Sequence, residues 1–229
     1  MRTTIYKLIQ ELGRSISFKE PIHEFGACPV TGQEDRGRFR DCFPGKVYVG
    51  SDLVPGPGVD EIQDLHHLTL KEESLGTALV LENIHHVREP WRAVQEVYRC
   101  LQPGGILIMT SVMFFPSHPW PDDYWRFTTS GMAVLLQPFE QTVLTSCGLR
   151  TLPHTVIGIG FKSPVNAELV KNIESVVGQW KESGSRSWKE TLLDLLPPVV
   201  IVPAWGMYTR WLSRQGSHPP PPRHGQKAG

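Results

Sequence analysis

Two nearly all-apolar runs, GTALVLEN at 76–83 and ILIMTSVMFF at 106–115, bracket one amphipathic segment, REPWRAVQEVYRCLQPGG at 88–105. No other feature constrains the fold as tightly. A run apolar at every position is a strand buried on both faces, and such strands lie inside sheets covered by helices on either side. The segment between them carries Trp91, Val94, Val97, Tyr98 and Leu101 on one helical stripe. Pro90 stands where a first helical turn tolerates proline, and Pro103-Gly104-Gly105 stops the helix. A strand, a helix and a second strand of this kind pair parallel through a right-handed crossover.

Three shorter pieces upstream read as further strands. PIHEFGA at 21–27 ends near Glu24, KVYVGSD at 46–52 ends on Asp52, and VDEIQD at 59–64 ends on Asp64. Downstream, TTSGMAVLLQPF reads as a helix. EQTVLTSCGL and PHTVIGIGF alternate like an antiparallel pair at a sheet edge. Ser163-Pro164 reads as a helix start, followed by an apolar face at Leu169, Val170, Ile173, Val176, Val177 and Trp180. The expected fold is α/β, a Rossmann-like doubly wound sheet. It is mostly parallel with an antiparallel edge, in three α/β/α layers.

The expected organisation has an amphipathic helix at 1–20, carrying Ile5, Leu8, Ile9 and Leu12 on one face. An α/β domain at 21–162 follows, then a helical extension at 163–214 with a further helix near 187–196, then a Pro-rich disordered tail at 215–229. The stretch LLDLLPPVVIVPAWGMYTRWL at 192–212 is apolar, but Pro197, Pro198 and Pro203 interrupt it and Asp194 and Arg210 sit inside it. That argues for packing on the domain, or a peripheral membrane contact, over a spanning helix. No secretory signal opens the chain, so a cytoplasmic location is expected, with a peripheral membrane contact left open.

Charge and cysteine usage exclude more than they suggest. The chain has 23 basic and 23 acidic residues, which argues against a nucleic-acid surface, since phosphate contacts want a basic excess. Four cysteines without a CxxC pair read as buried thiols, and the five histidines near the edge lack a metal spacing such as HExxH, so no metal is expected.

Ligands of such sheets bind beyond the carboxyl ends of the strands. Glu24, Asp52, Asp64 and the run Glu82 to His86 all fall there. A carboxylate ending the second strand can accept both hydroxyls of a ribose. A second acid ending the third strand can accept from an exocyclic amine. Together they describe an adenosine site.

The segments YVGSDLVPGPGVDEIQDLHHL, SLGTALVLENIHHVREPWRAVQEVYRCLQPGGILIM and HPWPDDYWRFTTSGM, in that order, resemble the class I S-adenosylmethionine-dependent methyltransferases, in particular their type 11 domain group. The likeness runs from about residue 21 to 160. It implies S-adenosylmethionine as cofactor, held by Glu24, Phe25, Gly26, Asp52, Leu53, Asp64, Leu65 and Glu82. It implies methyl transfer to a small-molecule, lipid or glycan acceptor, with His86, His118 and Asp123 as catalytic candidates and Tyr124 and Arg126 as acceptor-binding ones. Two departures stand out. The family often has Glu-His where this chain has His85-His86. Its first loop, usually an acid and alternating glycines, here reads EFGACPVTGQ, with Cys28 and Val30 in place of glycines. A non-catalytic binding module with the same fold therefore stays open as an alternative. A nicotinamide-dependent reductase is disfavoured, because no GxGxxG follows the first strand.

Overall fold

A computed structural model describes residues 3–29, 38–115, 117, 122–148 and 153–183. The expected helix near 187–196, the apolar stretch at 192–212 and the Pro-rich tail fall outside the described residues.

Helix α1 spans Thr3–Ser15 and buries Ile5, Leu8, Ile9 and Leu12. Strands β1 (Ile22–Phe25), β2 (Tyr48–Asp52), β3 (Glu61–Ile62), β4 (Leu75–Val80) and β5 (Leu101–Val112) follow, with helix α2 (Pro90–Cys100) between the last two. Helix α3 (Thr129–Leu135), strands β6 (Gln141–Gly148) and β7 (Pro153–Phe161), and helix α4 (Ala167–Ser183) complete the order. The strands form one sheet, β3-β2-β1-β4-β5-β7-β6. The first five are parallel, and β7 runs antiparallel to both β5 and β6. The mostly parallel sheet with its antiparallel edge is as expected.

Burial explains the layers. Every residue of β4 is buried, so both faces of the centre must be covered. On one face α1, α4 and a 3-10 turn at Phe39–Cys42 pack on Ile22, Leu79, Ile106, Ile108 and Ile159. On the other, α2 and α3 pack on Phe25, Ala78, Val80, Leu107 and Met109. Pro90 takes the first helical turn of α2, as its missing N–H allows.

Two expectations need correcting. The helix after β7 does not start at Ser163-Pro164. Asn166 caps α4, its Oδ1 accepting from the Glu168 and Leu169 amides at 3.0 and 3.2 Å. Ser163 is used earlier, its carbonyl accepting the Gly104 amide at 3.1 Å and tying the chain to the first residues of β5. Nor do helices separate all the strands: the described connections at 53–60 and 63–74 contain none. The ends of β2 and β3 are therefore bordered by loops, and Leu53, Val54 and Ile62 are exposed there.

Candidate active site

The carboxyl ends of β1, β2 and β4 form one ledge, and its geometry starts from close backbone packing. Gly26 follows β1 with φ at 88°, and a Cβ there would lie 2.6 Å from Asn83 Nδ2. Only glycine meets both conditions. The Gly26 and Ala27 amides donate to the Ser51 carbonyl at 2.8 and 2.9 Å, bending the loop after β1 over the end of β2.

Asp52 ends β2. Its Oδ2 accepts the Cys28 amide at 3.1 Å and its Oδ1 the Leu53 amide at 2.7 Å. Two amides thus orient the carboxylate, and each oxygen, with two lone pairs, can still accept a further hydrogen bond. Cys28, a departure from the glycine pattern, contributes its backbone N–H here. Exposed Leu53, Val54 and Ile62 stand beside it as an apolar flank.

Asp64 is half exposed. Its Oδ1 accepts from the His66 amide at 2.9 Å and pairs with His66 Nδ1 at 2.8 Å. Burial pushes its pKa up, but the His66 hydrogen bonds and the neighbouring imidazoles outweigh that and hold it below the usual carboxylate range. His66 Nε2 in turn accepts the Glu89 amide at 3.3 Å, joining this turn to the start of α2. Leu65, next to Asp64, is buried.

Glu24 and Phe25 bury their side chains at the end of β1. Phe25 is buried and stacks on His23 at 4.4 Å between ring centroids. Glu24 is 8% exposed, and its Oε2 accepts the Tyr48 hydroxyl at 2.7 Å. Burial pushes the Glu24 carboxyl up to about 7, against the Tyr48 hydrogen bond. Burial pushes His23 down to about 4, against the pull of Asp60.

These two shifts act on stability with opposite signs. Folding keeps a proton on Glu24 between its ordinary value of 4.5 and about 7, so that term falls as pH rises. Folding removes a proton from His23 between about 4 and 6.5, so that term rises with pH. Glu24→Gln removes only the first. Urea denaturation should find the variant gaining on the parent by about 3 kcal/mol as pH rises from 4.5 to 7. A constant difference across that window would show that Glu24 titrates normally.

The segment after β4 carries backbone strain. Glu82 has φ at 53°, a left-handed value uncommon for a side-chain-bearing residue. Its amide donates to both the Thr110 carbonyl (3.2 Å) and hydroxyl (2.9 Å), which hold it there. A 3-10 turn at Ile84–His86 follows.

Residues 122–128 lie across that turn. The His85 carbonyl accepts the Tyr124 and Trp125 amides at 3.0 and 3.2 Å. His86 Nδ1 donates to the Asp122 carbonyl at 2.8 Å. The Trp125 indole donates to the Val87 carbonyl at 3.0 Å. Arg126 grips Asp123 with two parallel hydrogen bonds of 2.5 and 2.6 Å, and its Nε reaches the Phe115 carbonyl at 3.1 Å. The Asp123 side chain is only 2% exposed. Tyr124 is 46% exposed, its hydroxyl donating to Asp122 at 3.0 Å. Arg126→Gln should release this loop: hydrogen exchange at the Tyr124 and Trp125 amides should speed at least tenfold, while the β4 amides hold. Equal protection in both proteins would assign the loop's order to its aromatic contacts alone.

Of the sequence candidates, Asp52, Leu53, Asp64 and Glu82 lie along the strand ends, and His86, Asp123, Tyr124 and Arg126 meet around the 122–128 loop. His118 lies outside the described residues. Sequence reading passed over Asp60, whose carboxylate accepts the Gly50 amide at 2.8 Å and pairs with Arg40. It also passed over Asn83 and gave His85 no separate role. Asp60, directly before the third strand, carried a signal in its position; the Asn83 contact arises only from tertiary packing.

Residues 45–109 match the methyltransferase domain family. The sheet order and the parallel crossover agree with that match. The fold is that of the class I methyltransferases. A Burkholderia thailandensis 1,6-didemethyltoxoflavin-N1-methyltransferase, solved with 1,6-didemethyltoxoflavin and S-adenosylhomocysteine, is similar at 17% identity and a TM-score of 0.53, over 69% of this chain and 78% of that one. The CurJ carbon methyltransferase is similar at 14% identity and 0.51, over 70% and 54%. A Haloferax volcanii methyltransferase described as putative, solved with a methyltransferase activator, is similar at 14% identity and 0.50, over 69% and 88%. No curated protein sequence matches the chain. In this methyltransferase fold, Asp52 occupies the end of the strand next to the first, on the side away from the antiparallel edge.

Proposed function

We propose that the chain transfers a methyl group from S-adenosylmethionine to a small-molecule, lipid or glycan acceptor. The observation that carries this reading is Asp52: a carboxylate at a strand end, oriented by two backbone amides and flanked by exposed Leu53, Val54 and Ile62. That donor and acceptor set fits an adenosine. The Asp52 carboxylate would accept the ribose hydroxyls, and the apolar flank would cover the face of the base. Asp64 and the Leu65 amide would hold the ring edge, and Gly26 and Glu82 the methionine end. Glu24 and Phe25 would contribute through backbone and packing, since their side chains are buried.

When bound, the cofactor supplies an electrophilic methyl carbon, whose bond to sulfur breaks with the electron pair going to sulfur. The chain's residues align the acceptor and remove its proton. His86 donates its Nδ1 proton to the Asp122 carbonyl, so a neutral ring carries its lone pair on Nε2, the form a base requires. Asp123 is the loop's anchor, and Tyr124 supplies an exposed face for the acceptor.

The proposed division gives the chemistry to 21–162, with the flanking segments as supports. No helix among the described residues is long and apolar enough to cross a membrane. The balanced charge supports an acceptor other than nucleic acid.

Calorimetric titration with S-adenosylmethionine and, separately, S-adenosylhomocysteine tests this reading. Micromolar binding of both is expected. A folded protein that binds neither at millimolar ligand would leave a binding module with a methyltransferase fold.

A further inference from the structure

The turn after β4 and the loop before α3 bring together nitrogen and oxygen donors in a geometry that a metal ion could share. His85, His86 and Asp123 each offer one ligand atom, and the three atoms lie within 4.8 Å of one another. We propose that they form a site for a divalent first-row transition metal of the zinc class.

The surroundings of each donor favour this. Metal-ligating histidines nearly always donate their other ring N–H to a carbonyl or carboxylate, which fixes the tautomer. His86 does so, through Nδ1 to the Asp122 carbonyl, leaving the lone pair of a neutral ring on Nε2. His85 is buried with Nδ1 3.4 Å from the Ser111 hydroxyl. Asp123 is held in place by the paired hydrogen bonds from Arg126. Two imidazoles and one carboxylate are a donor set for zinc, iron or nickel. A tetrahedral ion with bonds near ~2.1 Å holds its ligands about 3.4 Å apart. The separations here exceed that by at most about 1.4 Å, which side-chain rotations can close.

The same residues select among ions. A divalent ion placed near the Arg126 guanidinium meets repulsion, so it must gain strongly from imidazole nitrogen. Magnesium, which prefers six oxygens and keeps its waters, gains little there. The bound ion would clip the 84–86 turn to the 122–128 loop, using the lone pair that the proposed base role of His86 needs. Zinc loading and methyl transfer through His86 are therefore expected to oppose each other, while cofactor binding at Asp52 is unaffected.

The test is cobalt(II) absorption of the full chain at neutral pH, with zinc and magnesium as competitors. The expected result is one equivalent of cobalt in a tetrahedral or five-coordinate field, without thiolate charge-transfer absorption, displaced by zinc and not by magnesium. His86→Ala and Asp123→Asn should each lose that equivalent, and His67→Ala, altered at a histidine outside the donor set, should keep it. Should either variant fail to fold, the ring-proton NMR signals of His85 and His86 in the unaltered protein decide, and both should shift on adding one equivalent of zinc. No cobalt spectrum, a thiolate band, a spectrum retained in folded His86→Ala, or unmoved His85 and His86 signals overturns the proposal. None of these outcomes depends on methyl-transfer activity or on the cofactor titration.

Discussion

Asp52→Ala is expected to weaken S-adenosylmethionine binding by more than about a hundredfold. A hydrogen bond to a charged group contributes about 1.5–3 kcal/mol, and a ribose diol would make two to this carboxylate. At about 1.4 kcal/mol per factor of ten, their loss alone exceeds two decades of affinity. The local structure adds to the effect. The same carboxylate accepts the Cys28 and Leu53 amides, so truncation removes the tie between the loop after β1 and the end of β2. Asp52→Asn should fall between the two, because its carbonyl oxygen still accepts one bond of each kind while the charge is gone. Calorimetry of the three proteins, with melting curves to establish that each is folded, makes the comparison. Equal affinity in all three would move the cofactor away from this strand end and remove the main support for the proposed function.

Gly50→Ala should be among the most damaging single-methyl additions in the fold. A Cβ at Gly50 would lie 2.2 Å from the Gly58 carbonyl oxygen and 2.9 Å from Ala27 Cβ. The first is a backbone atom, which cannot rotate aside, and β2 is held between β1 and β3. Overpacking of this kind costs about 1–3 kcal/mol, and a backbone clash belongs at the upper end. The displaced parts are the 55–58 loop and the 26–28 loop, the two that position Asp52, so cofactor affinity should fall together with stability. Gly178 gives the contrast. It lies within α4, and a Cβ added there would meet nothing within 4 Å, so Gly178→Ala should stabilise by up to about 1 kcal/mol through helix propensity. Urea denaturation separates the two, and a Gly50→Ala protein as stable as its parent would mean that the 55–58 loop moves freely.

Much of the fold was legible in the order of residues. The apolar runs at 76–83 and 106–115 named the two central strands, because a strand covered on both faces has no polar side to hide it. Pro90 marked the start of α2, and the alternation in 140–161 marked the antiparallel edge. Asp52 was legible as an acid at a strand end, whereas Asp64, read as ending the third strand, lies two residues beyond β3 in a turn closed by its pairing with His67. The start of α4 was misread because Ser-Pro and Asn both signal a helix start, and the choice between them depended on where β7 delivers the chain. The helix-free links at 53–60 and 63–74 were missed for a similar reason: both join β3, a strand only two residues long, whose length depends on its pairing with β2.

Sequence by itself determined which residues could be strands, which helix joins β4 to β5, and which acids stand at strand ends, since each depends on local periodicity and chain punctuation. Only the tertiary structure decided which of those acids remain available. Glu24 and Asp52 each sit at a strand end. One is buried against Tyr48 from a neighbouring strand, while the other is left partly exposed and held by backbone amides. The gathering of His85, His86 and Asp123 is likewise a product of the 122–128 loop crossing the β4 end. Burial and long-range hydrogen bonding depend on what packs against a residue, and that partner is far away in the chain.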